Sequence, residues 1–303
     1  MKQRTLGKAC QFRGKGLHTG QIAGITVNPA PANTGVRFIR TDIGEDAYID
    51  AVAENVTNTA RCTLLSNGEA SVSTIEHLMS ALTGLGIDNA LVEIDNVEVP
   101  ILDGSASYYV KAFTEAGIIE QDAERVYITI PQEIEIKDEK TGSWVKVTPA
   151  DELSYDLTVD FNSRVLGVQT AHWDTSCDYG TEIGPCRTFV FFHEIEYLFA
   201  NNLIKGGDVD NAIVIVEHPV KDEQLERMSK LFNLPMLQVR ENGYLNNLEL
   251  HFPNECGRHK MLDMIGDMRL AGGYLKAHIT GFKPGHHINT NLAKEIRKVL
   301  GLN

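Results

Sequence analysis

The sequence lacks the usual covalent staples. Its 303 residues include only five cysteines (Cys10, Cys62, Cys177, Cys186, Cys256), an odd, widely spaced set with no Cys-x-x-Cys pair. That excludes a disulfide framework and a thiolate zinc cluster, and it reads as a reduced, cytoplasmic chain. No stretch approaches the ~20 apolar residues of a membrane span. Positive charge is also scarce. Lys plus Arg is 28 against 41 Asp plus Glu, a net charge of -13. This excludes nucleic acid as a main partner, because phosphate backbones are bound by clustered cations. The first 41 residues depart from the rest, with seven basic side chains and no acid. They are not expected to form a targeting peptide: a central apolar region is missing, and Gly7, Gly14, Gly16, Gly20 and Gly24 would interrupt an amphipathic helix.

What is present is an ordinary globular composition, 43% hydrophobic and 23% charged, in a chain long enough for two domains of ~150 residues. Ile75, Leu78, Met79 and Leu82 recur at helical spacing, Leu85-Gly86 ends that helix, and the strand-like Ala90–Ile94 follows. A second helix is predicted around Tyr108–Ala116. The charged stretch Glu120–Glu124 reads as a linker, which places domains at 1–124 and 125–303. Beyond it, Val126–Ile130 and Leu157–Phe161 read as strands, His193–Asn201 as helix, and Ala212–Val216 as a buried strand. Residues 217–255 read as a polar, irregular insertion. An amphipathic helix His259–Leu270 then stops at Ala271-Gly272-Gly273 before the strand Tyr274–Ile279. Helix, glycine stop, strand occurs in both halves, so a duplicated α+β unit is expected.

The candidate chemistry sits at the starts of these helices. Ser73 and Glu76 match a capping box, S-x-x-E, and His77 falls away from the apolar stripe, so this segment alone reads as a capped helix with a surface histidine. His259, Asp263 and Asp267 lie at i, i+4 and i+8, on the side opposite Leu262, Ile265 and Met268. They form either a solvated polar face or one wall of a metal site. If the two repeats pack with two-fold-like symmetry, His77, His259 and Asp263 supply two imidazoles and a carboxylate, the donor set of a catalytic zinc with an open position. Glu76 then stands beside a ligand as general base. Gly281–His287 reads as a tight turn presenting Lys283, His286 and His287, one histidine of which can protonate a leaving group or meet an oxyanion.

With these residues assembled, the sequence resembles the UDP-3-O-acyl-N-acetylglucosamine deacetylases, zinc amidases of lipid A biosynthesis in Gram-negative bacteria. The resemblance runs along nearly the whole chain. It is carried by Gly16–Gly20 (GLHTG), Thr74–Leu78 (TIEHL), Gly84–Asn89 (GLGIDN), Pro100–Ala106 (PILDGSA), Arg187-Thr188-Phe189, and His259–Asp263 (HKMLD) with Gly266-Asp267. It implies an α+β fold of two similar domains of β-α-α-β sandwich architecture, with helices packed between two sheets. It also implies Zn²⁺ held by His77, His259 and Asp263, and Glu76 as base. His286 matches a cationic histidine, Asp267 its orienting carboxylate, and Thr188 a hydroxyl that meets the tetrahedral intermediate. Lys260 matches a substrate-binding lysine, Phe161 a ring that stacks on uracil, and Ile195, Gly207, Ala212 and Val214 an apolar acyl-chain passage. Phe189 and Lys283 join the expected substrate contacts, Lys283 as a local positive group for the diphosphate.

Some features depart from the pattern. Ser143 replaces a lysine near the nucleotide, and 217–255 is longer than expected. Cys62 is expected to line the metal site and not to ligate. Some members continue into a C-terminal 3-hydroxyacyl-carrier-protein dehydratase, so a fused or linked partner of that kind is an expectation. The competing expectations are a metal-dependent amidase acting on another acylated sugar nucleotide, and a binding relative without chemistry.

Overall fold

The computed structural model describes residues 1–44, 46–195, 210–231 and 234–302. The first half runs through β1 (Lys2–Leu6), β2 (Cys10–Lys15), β3 (Ile22–Pro29), β4 (Val36–Arg40) and β5 (Tyr48–Asp50). A small meander follows, β6 (Val56–Asn58), β7 (Leu64–Asn67) and β8 (Ala70–Ser73). Then come α1 (Glu76–Gly84), β9 (Ala90–Ile94), α2 (Ser107–Ala116) and β10 (Ile118–Glu124). The second half has β11 (Tyr127–Thr129), β12 (Ile134–Asp138), β13 (Ser143–Pro149), β14 (Ser154–Asp160) and β15 (Val168–Asp174). After these come α3 (Tyr179–Glu182), β16 (Phe189–Phe191), β17 (Ile213–Ile215), α4 (Asp222–Leu231), α5 (Glu255–Met268), β18 (Tyr274–Phe282) and α6 (His286–Val299).

The main sheets have the same topology. One is ordered β2-β3-β9-β4-β5 and the other β12-β13-β18-β14-β15. In each, the strand that follows the central helix sits in the middle, antiparallel to one neighbour and parallel to the other. The duplicated α+β unit is therefore present strand for strand. The helices lie between the sheets: α1 packs along α5, α5 rests on β14 and β15, and α6 covers β12 and β13. Leu78 and Leu82 of α1 share one buried cluster with Met261, Leu262 and Ile265 of α5. Helices buried on all sides need not be amphipathic toward water.

Four sequence expectations are corrected. Glu120–Glu124 is no linker but part of β10, paired antiparallel with β1; its alternating polar residues are those of a strand with one wet face. Ser73 and Glu76 make no capping box, because Glu76 is itself the first helical residue and Ser73 Oγ donates to the Val97 carbonyl. The 217–255 stretch is not structureless: α4 places Leu225 and Met228 in a separate small core with Phe192, Ile195, Val214 and Val216. The histidines after Gly285 are not in a turn, since His286 opens α6. Of the expected helix His193–Asn201, the described part (to Ile195) is helical, and the remainder lies outside the described residues. No helix among them is long and apolar enough to cross a membrane.

Candidate active site

The backbone delivers the reactive side chains to one place because α1 and α5 approach unusually closely. Gly266 on α5 faces the Glu76 carbonyl on α1, and a Cβ there would collide with it. With the helices so near, the polar side of each faces the other. His77 is accordingly buried and not at the surface, and its ring meets that of His259 edge-on at 5.0 Å between centroids. The second helix covers the side that looked solvent-facing.

His77, His259 and Asp263 present one ligand atom each, all within 4.8 Å of one another. Asp263 Oδ1 lies 3.7 Å from His77 Nε2 and 3.5 Å from His259 Nε2. It is buried and has no hydrogen-bond partner. A carboxylate oxygen left bare between two imidazole nitrogens suits a cation, since an unpaired buried acceptor is otherwise expensive. His259 Nδ1 is 3.0 Å from the Cys186 carbonyl, which fixes its proton there and turns the Nε2 lone pair toward Asp263. Burial lowers both imidazoles, His77 to about 3, so each is a neutral ligand. Burial alone would raise Asp263, but the Lys260 ammonium, and after it the His286 imidazolium, hold it well below the usual carboxylate range. These donors fit a zinc-class ion. Cys62 is a different case: burial and then Glu76 push its thiol up to about 12, so it stays neutral.

Beside this triangle stands a second pair. His286 Nε2 is 3.6 Å from Glu76 Oε1, and its Nδ1 is 2.9 Å from Asp267 Oδ2. Burial raises Glu76 to about 7 despite the opposing charge of His286. Burial would lower His286, but Asp267 and Glu76 outweigh it and bring it up to about 10. Asp267 also accepts from Thr63 Oγ1 at 2.6 Å and Asn289 Nδ2 at 2.9 Å, and Thr63 N donates to Glu76 Oε2 at 3.1 Å.

A match along residues 3–232 and 232–298 links the chain to the family model described as UDP-3-O-acyl N-acetylglycosamine deacetylase, LpxC. The chain belongs to this family. It is 44% identical over its whole length to a bifunctional LpxC/FabZ enzyme of Porphyromonas gingivalis, of which it covers 65%. It is 38% identical over 98% of its length to a UDP-3-O-acyl-N-acetylglucosamine deacetylase of Thioalkalivibrio sulfidiphilus, of which it covers 90%. A deacetylase of that name from Trichormus variabilis is 36% identical, with 98% of each chain covered. The chain thus spans slightly less than two thirds of its bifunctional relatives.

Family membership directs attention to the rim. Lys260 Nζ is 2.8 Å from Asp263 Oδ2 and 5.5 Å from the centre of the Phe189 ring. Phe189 stands 6.3 Å from His259 and 5.4 Å from the half-exposed Phe161, ring to ring. Lys283 pairs with Asp160 at 3.4 Å, next to Phe161. These four sequence-predicted residues therefore form one track leading away from the triangle. Thr188 is held by its backbone, donating to Gly104 O and accepting from Ile213 N, each at 2.8 Å. Ile195 and Val214 share the small apolar core, and the Ala212 carbonyl accepts from Asn247. Gly207 lies outside the described residues. Ser143 opens β13.

Sequence reasoning missed Thr63, Asn289, the Cys186 carbonyl and Glu98. Glu98 is buried and accepts from His18 N, Thr19 N, Thr19 Oγ1 and Thr74 Oγ1. Thr74, a β-branched residue, has φ +59° two residues before Glu76, a strained conformation that this hydrogen bond helps to hold. No motif announces a hub whose partners are two backbone amides and two threonine hydroxyls.

Proposed function

We propose that this chain is a zinc-dependent deacetylase that hydrolyses the N-acetyl group of UDP-3-O-(3-hydroxyacyl)-N-acetylglucosamine, releasing acetate and the free amine, the committed step of lipid A biosynthesis. The observation that carries this reading is the bare Asp263 Oδ1 between His77 and His259, with the Glu76–His286 pair alongside. Bound by His77, His259 and Asp263, a zinc ion supplies Lewis acidity, bringing the pKa of water to about 7 and polarising the amide carbonyl.

The protein groups do the rest. An acetamide is a poor electrophile with a poor leaving group, so both ends need help. Glu76 accepts the proton of the attacking water. The His286 imidazolium, aligned by Asp267, faces the developing oxyanion together with the Thr188 hydroxyl. Each preorganised donor contributes roughly 3–4 kcal/mol. The protonated member of the Glu76–His286 pair then delivers a proton to the departing amine.

Lys260 and Lys283 are read as meeting the diphosphate, Phe161 and Phe189 as flanking the nucleotide end, and Ile195, Gly207, Ala212 and Val214 as the acyl passage. Residues 1–124 and 125–303 are taken as the two units, supported by β10 pairing with β1 while β11 pairs with β18. Five unpaired thiols support a cytoplasmic site of action. A link to a C-terminal dehydratase is part of the proposal and is supported by the bifunctional relatives. The test is acetate release from UDP-3-O-acyl-N-acetylglucosamine after chelation and after Zn²⁺ is restored. Activity should vanish and return. Full turnover by metal-free protein overturns the proposal, and preference for another acylated sugar nucleotide redirects the substrate assignment.

A further inference from the structure

A second group of metal-type donors lies on the solvent face of the other main sheet. Along β15, Ala171 and Trp173 point inward and are buried, so the two-residue period leaves His172 and Asp174 side by side on the outside. After the strand, Ser176 N and Oγ donate to Asp174 Oδ1 at 2.8 and 2.6 Å, and Cys177 N donates to the Asp174 carbonyl at 3.1 Å. This turn brings Cys177 back toward the strand. It occupies one Asp174 oxygen and leaves Oδ2 facing His172 Nε2 at 3.1 Å. One ligand atom each from His172, Asp174 and Cys177 lie within 4.8 Å of one another.

The back of the imidazole is also provided for. Asp156 is the cross-strand partner of His172 on β14, and its Oδ1 is 2.9 Å from Nδ1. A carboxylate on the second nitrogen is the usual orienting partner of a metal-ligating histidine, because it fixes the tautomer and raises ligand basicity. Asp156 Oδ2 lies 3.5 Å from His278 Nε2, whose Nδ1 is 2.9 Å from Ser154 Oγ. The polar line therefore crosses three strands. Tetrahedral zinc with ligands at ~2.0–2.3 Å separates its donor atoms by roughly 3.3 Å. The His172–Asp174 pair already has that spacing, and rotation of the partly exposed Cys177 side chain supplies the third donor. His172, Asp156 and Cys177 border a cavity of about 610 Å³ that also meets Trp144 and Arg258, which leaves a fourth position for water or a small ligand.

We propose that His172, Asp174 and Cys177 form a second divalent-cation site of the zinc class, with Asp156 orienting the imidazole. Binding releases two protons to solvent, one from the Cys177 thiol and one from His172 Nε2, while Nδ1 keeps its proton toward Asp156. Without the ion, the same groups are an ordinary ion-paired cluster of His172 with Asp156 and Asp174. With it, the end of β15 is tied to the turn that leads into α3, whose Tyr179 hydroxyl donates to Ser80 Oγ on α1 at 2.7 Å. The site contains a thiolate, which the His77–His259–Asp263 triangle does not, and this separates the two experimentally.

The experiment uses the full chain dialysed to equilibrium against zinc, with metal content measured per chain. The wild-type protein should take up one equivalent more than His172→Ala or Cys177→Ser, while all three deacetylate at the same rate. In cobalt-loaded protein, thiolate-to-cobalt charge-transfer absorption should appear, disappear in Cys177→Ser and persist in Cys62→Ser. Equal zinc content in the wild type and His172→Ala overturns the proposal. So does a cobalt-loaded wild-type protein without the thiolate absorption, or an absorption abolished by Cys62→Ser and retained in Cys177→Ser. None of these outcomes depends on the buried triangle holding its own ion.

Discussion

Asp267 holds His286 by a 2.9 Å contact between Oδ2 and the ring Nδ1, and in doing so ties the end of α5 to the first residue of α6. The contact orients the other ring nitrogen toward Glu76 and supplies the negative charge that keeps the imidazole protonated. Asp267→Asn should leave KM for substrate near its wild-type value and lower kcat. His286→Ala should lower kcat by roughly 10²–10⁴, the range for general acid–base groups, and Asp267→Asn by less. Steady-state kinetics on folded variants decide it. A purely structural Asp267 would instead lower thermal stability without a selective loss in kcat.

The same pair sets the pH dependence. The working state couples a Glu76 carboxylate to a His286 imidazolium. Rate should rise as pH climbs through the Glu76 value and fall as pH climbs through the His286 value, about 7 and about 10 in the metal-free protein. A cation beside Glu76 favours its charged form, so the rising limb of the metal-loaded enzyme should lie below 7. A profile of kcat/KM against pH tests this, with His286→Gln expected to lose the falling limb. Its survival in that variant would refute the assignment.

Gly266→Ala probes how tightly the site depends on helix approach. The added methyl meets the Glu76 carbonyl, and backbone cannot step aside as a flexible side chain does. Destabilisation of about 1–3 kcal/mol is expected, read as a lower unfolding midpoint. Any folded fraction should also have reduced kcat, because α1 must move Glu76 to relieve the contact. An unchanged midpoint would mean that the helices can part at no cost.

Lys260 and Lys283 should separate kinetically. Lys283 pairs with the rim residue Asp160, so Lys283→Ala should raise KM by roughly ten- to a hundred-fold, the value of a charge-assisted hydrogen bond, with little change in kcat. Lys260 also neutralises Asp263, so Lys260→Ala should change both KM and kcat. Unchanged KM in both variants would remove them from substrate binding.

Much of this was legible in order and spacing. Helical periodicity located α1 and the body of α5, glycine stops marked their ends, and the repeated helix–stop–strand pattern foresaw the two matching sheets. The i, i+4 spacing placed His259 and Asp263 on one side of a helix. Other features misled for identifiable reasons. Glu120–Glu124 looked like a linker because an edge strand with one wet face is as polar as a loop. The apparent capping box failed because Glu76 was drawn into the first turn, where its side chain faces His286 and does not reach back to a cap.

By itself, the sequence determined the elements, their duplication and the residue types available for chemistry, because local periodicity and turn chemistry are written in neighbouring residues. Only the tertiary structure decided that His77 is buried, that Asp263 Oδ1 is left bare between two imidazoles, and that Thr63, Asn289, Glu98 and a main-chain carbonyl hold the reactive groups in place. Those facts arise where residues far apart in the chain are brought within hydrogen-bond reach, at the helix contact around Gly266 and at Glu98. Burial and charge at such a meeting depend on both sides at once, and neither segment specifies them alone.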